Sequence, residues 1–168
     1  MKKILVVSCT ARRERDKNDL KISQSLRFMT DEVKLKIHFE NSEGLGQVYN
    51  NYINHKISSK HDIVLFVHDD VYIDDYKLRG KLYAAIKEYD IIGLAGCIDP
   101  KIKSPALWHL MSDRDNWRGY VAHEVPEVPG AIYMTSFGVT PSRVAIADGL
   151  FLAVNVKRAL QAKWSFNE

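Results

Sequence analysis

The chain has 168 residues, 46% of them hydrophobic and 27% charged, which suits one globular domain with a sizeable core. This composition excludes a disordered, collagen-like or disulfide-scaffold protein, and a formal net charge of +3 makes no case for a nucleic-acid partner. Apolar runs such as Ile63–Val67 are far too short to span a membrane, the apolar part of Met1–Val7 is too short for a signal peptide, and Cys9 and Cys97 make no framework, so a reduced cytoplasmic protein is expected.

Lys3–Ser8 is apolar on both faces and reads as a buried strand. Cys9–Lys17 is a polar, Arg-rich loop, and Asn18 or Asp19 is placed to cap a helix running to about Phe28. Val33–Phe39 alternates, as a half-exposed strand does. Asn41–Gly46 reads as a loop and Gln47–Ile57 as a helix. Ile63–Val67 is a β-rich apolar strand that ends abruptly at His68-Asp69-Asp70. Asp74 or Asp75 then begins a helix to about Glu88, with Leu78, Leu82, Ala85 and Ile86 on one face. Asp90–Cys97 reads as a further buried strand. This β-α-β-α-β-α-β order predicts a parallel α/β sheet with right-handed crossovers. Beyond it, Asp99–Arg118 is a long aperiodic loop, Tyr120–Phe137 suits a hairpin or a meander, Val144–Val154 holds a strand interrupted by Asp148-Gly149, and Val156–Ala162 starts a helix.

The sharpest chemical feature is Phe66-Val67-His68-Asp69-Asp70. A buried strand delivers two adjacent carboxylates to its C-terminal end, the edge where open α/β sheets bind ligands. The pair either holds a hard divalent cation, Mg²⁺ or Mn²⁺, or one of the two merely begins a turn or caps the next helix. An EF-hand is excluded, since Tyr72 and Asp75 stand where a ligand and a glycine are needed. Gly44-Leu45-Gly46 is not a dinucleotide fingerprint, because Tyr49 stands at its third glycine, and there is no Walker A sequence. Arg12, Arg13, Arg15 and Lys17 lie on the same strand-end edge and either neutralise a phosphate or form a solvated loop. Trp108, Trp117 and Tyr120 either stack on a ligand or anchor the long loop.

In order, Asn41–Asn50, Asp62–Val71, Asp90–Gly96, Trp108 and Ala147-Asp148-Gly149-Leu150-Phe151-Leu152-Ala153-Val154 form a set that resembles the glycosyltransferase-like proteins related to glycosyltransferase family 2. The resemblance covers nearly the whole chain. It implies a GT-A-like (Rossmann-like), mostly parallel sheet flanked by helices, with a small β-rich insertion in the second half. It also implies an inverting, metal-dependent transfer from a nucleotide-diphospho-sugar, a UDP-sugar foremost, to a glycan or lipid-linked acceptor. Work at the cytoplasmic face of a membrane, with peripheral association, belongs to the same picture. His68-Asp69-Asp70 takes the place of the family's D-x-D element, with histidine at its first acidic position. Asp70, then Asp69, match the metal-binding carboxylates. Ser8, Cys9, Thr10, Glu40, Asn41, Asn50, His68, Asp69 and Gly149 are the expected nucleotide-sugar contacts. Relatives continue past the stretch Lys163–Glu168, so residues 1–168 are expected to form a single nucleotide-sugar-binding domain without its acceptor-side end, leaving Asp148 and Glu168 as candidates for the catalytic base. The rivals are a non-catalytic nucleotide- or glycan-binding module of the same fold, and a sugar-phosphate nucleotidyltransferase, which lacks its glycine-rich phosphate loop here.

Overall fold

The computed structural model describes residues 3–27 and 33–167. They divide into two compact units, Met1–Ile92 with Gly149–Glu168, and Gly93–Asp148.

In the first unit, β1 (Lys3–Cys9), β2 (Val33–His38), β3 (His61–Val67), β4 (Ile91–Gly93) and β9 (Phe151–Asn155) form a five-stranded sheet in the order β2-β1-β3-β9-β4. β1 runs parallel to both β2 and β3, with Ile4 level with Val33 and Ile63. β3 runs antiparallel to β9, from Ile63 opposite Asn155 to Val67 opposite Phe151. Ile4, Val6, Ile63, Leu65, Val67 and Ala153 give the sheet one apolar face, which packs with Ile22 and Leu26 of α1 (Lys21–Leu26) and with Leu78 and Leu82 of α4 (Leu78–Ala85). Burying aliphatic side chains of this size contributes about 1.5–3 kcal/mol each, so this layer is the main source of the unit's stability.

The remaining helices of this unit are short. α2 (Leu45–Asn50) and α3 (His55–Ser58) replace the single helix expected over Gln47–Ile57. The break has a local cause: the Asn54 side chain accepts from the Ile57 N–H at 3.0 Å and restarts the helix as a cap. α4 begins three residues after Asp75, whose carboxylate accepts from the Lys77 N–H at 2.9 Å and pairs with Lys81 at 2.7 Å. The bond to Lys81, and then the bond from the Lys77 amide, hold the Asp75 carboxyl below its ordinary range. Glu14–Asp19 forms a 3₁₀ helix before α1, and Phe28, the expected end of that first helix, lies outside the described residues. α6 (Val156–Gln161) is capped by Asn155, which accepts from the Arg158 N–H at 3.2 Å.

The second unit holds a four-stranded sheet in the order β7-β6-β5-β8, from β5 (Ala95–Cys97), β6 (Trp117–Glu124), β7 (Ile132–Phe137) and β8 (Ile146–Ala147). Every pairing in it is antiparallel, and β6–β7 is the hairpin expected over Tyr120–Phe137. The stretch expected to be a loop, Asp99–Arg118, contains 3₁₀ turns at Pro105–Leu107 and Arg114–Asn116, and α5 (Trp108–Met111) between them.

The expected GT-A-like, Rossmann-like and mostly parallel sheet is therefore wrong. The first sheet is mixed and the second is wholly antiparallel. The reason is that an apolar run buried on both faces looks the same in either direction. β9 is such a run, four of its five residues being buried, and it arrives after the Gly93–Asp148 excursion rather than by a simple helical crossover. Two further runs that read as single strands, Asp90–Cys97 and Val144–Val154, are each split between the sheets, into β4 and β5 and into β8 and β9. Among the described residues no helix is long and apolar enough to cross a membrane.

Candidate functional site at the ends of the parallel strands

The three parallel strands β2, β1 and β3 end on one edge of the first sheet, and the chain beyond them is tied together by main-chain bonds. The Thr10 N–H donates to the His38 carbonyl at 2.9 Å, the Asn41 N–H to the Thr10 carbonyl at 2.9 Å, and the Glu40 N–H to the Arg12 carbonyl at 2.9 Å. Glu40 reaches this position with φ at +50°, in the region that disfavours side chains, so the ladder between the two loops holds a strained residue. At the end of β3, the His68 N–H donates to the Leu150 carbonyl at 3.1 Å and the Val71 N–H to the His68 carbonyl at 3.3 Å. The Asp69 carbonyl accepts from the Ile22 N–H at 3.3 Å, which fixes the β3 turn to the start of α1.

These bonds bring together most of the residues singled out in the sequence. Thr10 is buried and its hydroxyl accepts from the Arg12 N–H at 3.1 Å, while Glu40 is exposed and Asn41 half-buried. Ser8 is fully buried, and its hydroxyl makes no hydrogen bond among the described residues. Cys9 is half-buried, with its thiol pushed up to about 11, first by burial and then by the negative charges of Asp69 and Glu43. It is thus a neutral thiol at physiological pH and marks the approach of Asp69 and Glu43 to the end of β1. His68 and Asp69 are half-buried and Asp70 is exposed. Gly149 sits against His68, whose Nε2 would be 3.7 Å from a β-carbon placed there. The basic turn contributes exposed Arg12, Arg13 and Arg15, with Arg13 reaching Glu40 at 3.9 Å and Arg15 reaching Asp16 at 3.7 Å.

The Asn50 side chain is tied to the segment near the end of the described chain. Its amide nitrogen donates to the Phe166 carbonyl at 3.0 Å, and its amide oxygen accepts from the Phe166 N–H at 2.8 Å. The pair of bonds straps the segment Trp164–Asn167 along α2. Phe166 packs edge-on against Phe66 and Tyr49, with ring centroids 5.1 and 5.5 Å away, and Tyr49 stacks on Phe66 at 4.3 Å. Burial pushes the Tyr49 phenol up, and the thiolate that Cys9 forms only at high pH and the Asp69 carboxylate add to the rise. Sequence reasoning missed the strap. Gly46 and Asn50, four residues apart on one face of α2, were its only local trace, and their partners lie more than a hundred residues away in the chain.

Asp148 belongs to the second unit. Its carboxylate accepts from the buried Trp108 indole N–H at 3.0 Å, and its own N–H donates to the Ala95 carbonyl at 2.9 Å. Trp108 also meets Trp117 edge-on at 5.5 Å, and Trp117 donates to the Ser112 hydroxyl at 2.9 Å. Trp108 and Trp117 therefore anchor the irregular segment. Tyr120, grouped with them in the sequence, is 56% exposed instead. Glu168 lies outside the described residues.

Among the described residues no three His, Cys, Asp or Glu side chains converge as they would around a metal ion. The carboxylates of Asp69 and Asp70 do not make an all-protein cage. They do fit the mode in which Mg²⁺ or Mn²⁺ is held by one or two carboxylates and takes its other ligands from phosphate oxygens and water. No family model matches the chain, and no curated protein matches it significantly.

Proposed function

We propose that the edge formed by the ends of β1, β2 and β3 binds a nucleotide-diphospho-sugar, a UDP-sugar foremost, and that the protein transfers the sugar with inversion to a glycan or lipid-linked acceptor. The observation that carries this reading is the convergence of three parallel strand ends on one edge, where adjacent carboxylates at Asp69 and Asp70 share the edge with a turn bearing Arg12, Arg13 and Arg15. Such an edge suits a ligand that combines an aromatic base, a diol and a diphosphate.

In this scheme the loops after β1 and β2, with Cys9, Thr10, Glu40 and Asn41, border the base and ribose. Asp69 and Asp70 hold the cation, and the Arg12–Lys17 turn adds positive charge toward the phosphates. Mg²⁺ or Mn²⁺ held by Asp69 and Asp70 would supply positive charge against the diphosphate leaving group. A general base takes the proton of the acceptor hydroxyl as that oxygen attacks the anomeric carbon and the bond to the diphosphate breaks. Asn50 acts indirectly, by holding the strap and the aromatic layer below the edge. Peripheral work at the cytoplasmic face of a membrane belongs to the same proposal.

A thermal-shift series with nucleotide sugars tests it, since a ligand that binds only the folded chain raises Tm. The expected result is a rise with UDP-sugars that needs Mn²⁺ or Mg²⁺, together with transfer of the sugar to an acceptor. No shift with any nucleotide sugar refutes the reading. A shift without turnover by the unaltered chain reduces it to a binding module.

A further inference from the structure

We propose that β7 is a self-association edge, pairing antiparallel with β7 of a second copy of this chain; the inference stands apart from the proposed activity. β7 lies at the border of the second sheet, bonded to β6 on one side. Proteins protect such borders with Lys, Pro or charges pointing inward. Ile132-Tyr133-Met134-Thr135-Ser136-Phe137 has none of these. Ile132, Tyr133 and Met134 are instead 63, 54 and 58% exposed.

The register fixes which groups face outward. The Val125 N–H bonds to the Ala131 carbonyl at 2.9 Å, so bonding across the hairpin recurs at every second residue, at Tyr133, Thr135 and Phe137. The N–H and C=O groups of Ile132, Met134 and Ser136 then point away from β6. A twofold axis at Met134 satisfies all of them, pairing Ile132 with Ser136 of the second copy and Met134 with its own equivalent, and it keeps like faces on the same side.

Charge selects the second copy as the occupant. Between Arg118 and Arg143 there is no Lys or Arg, and Glu124 and Glu127 mark the hairpin tip. At the other end the Arg118 guanidinium lies over Gly138 at the foot of β7, its Nη1 donating to the Asp115 carbonyl at 2.9 Å. Antiparallel pairing sets the acidic tip of each copy beside the Arg118 end of the other. A membrane surface is disfavoured by the same tip, whose charges would face anionic lipid.

Sedimentation velocity of the full chain over about 1 to 100 µM, the range of ordinary reversible association, reads the outcome. A concentration-dependent dimer is expected. Met134→Lys, which opposes two ammonium groups across the axis, is expected to weaken it about ten-fold or more. Amide exchange on the unaltered protein gives a reading that does not depend on the variant: the amides of Ile132, Met134 and Ser136 slow as concentration rises. A monomer throughout overturns the proposal and leaves the edge to a strand of another protein. A dimer indifferent to Met134→Lys, or one that leaves those amides in fast exchange, overturns it as well.

Discussion

Two glycines in helices of the first unit should respond to alanine with opposite signs. Gly80 lies inside α4, and a β-carbon there meets nothing within 4 Å. Gly80→Ala therefore gains helix propensity alone, about 0.8–1 kcal/mol. Gly46 lies inside α2, where the same propensity gain applies, but its β-carbon would fall 2.3 Å from the Asn167 carbonyl oxygen and 3.4 Å from the Phe166 Cβ. The close atom is main chain and cannot rotate aside. Relief requires shifting the Trp164–Asn167 strap, which the two Asn50 bonds and the Phe166 ring contacts resist. Overpacking of this kind costs about 1–3 kcal/mol, so the net effect of Gly46→Ala is a loss of up to about 2 kcal/mol. For a chain of this length each kcal/mol moves Tm by about 2–4 °C. Thermal melts of the two variants give the comparison directly: Gly80→Ala melts a few degrees higher than the unaltered chain, and Gly46→Ala lower. Equal stabilisation by both would refute the placement of the strap against α2.

Two further outcomes follow from other parts of the molecule. Trp108→Phe removes the indole donor to the Asp148 carboxylate and part of the edge contact with Trp117, and should cost about 1–3 kcal/mol in chemical denaturation. A change within error would show that this bond does not hold the second unit together. His61 is buried, and burial, together with the charges of Lys34, Lys60 and Lys3, lowers its pKa below the usual 6.5 against a smaller opposing effect from a bond with the Ile57 backbone. The unfolded chain therefore takes up this proton first as pH falls. The contribution of neutral His61 to stability is complete above pH 6.5 and is lost as pH drops through 6.5 toward the lower folded value. Melts from pH 8 down to about 5 should show a decline that His61→Gln flattens, and an unchanged profile in that variant would exclude His61 as its source.

Much of the first sheet was legible because its strands are long apolar runs. β1 and β3 stand where Lys3–Ser8 and Ile63–Val67 placed them, and the turn residues after β3 put His68, Asp69 and Asp70 at the strand end. What the pattern could not carry was direction and sheet membership. β9 is buried on both faces and is antiparallel to β3, yet nothing in Phe151–Asn155 distinguishes it from a parallel strand. β4 and β5 have three residues each, too few for a period to appear, and Leu94 between them is 57% exposed, a break that one residue cannot announce. The position of His68, Asp69 and Asp70 was legible because they follow directly on an apolar strand. The bonds of Asn50 to Phe166 were not legible, because they depend on a packing that no local spacing encodes.

Calorimetry of a uridine nucleotide diphosphate against the unaltered chain and Asp70→Ala, with and without Mn²⁺, tests the proposed donor site most directly. The expected result is binding that requires the cation and falls about ten-fold or more in the variant, as loss of a cation-holding carboxylate should produce. Binding of equal strength in both proteins, or binding indifferent to Mn²⁺, would contradict a site built on the carboxylates at the end of β3.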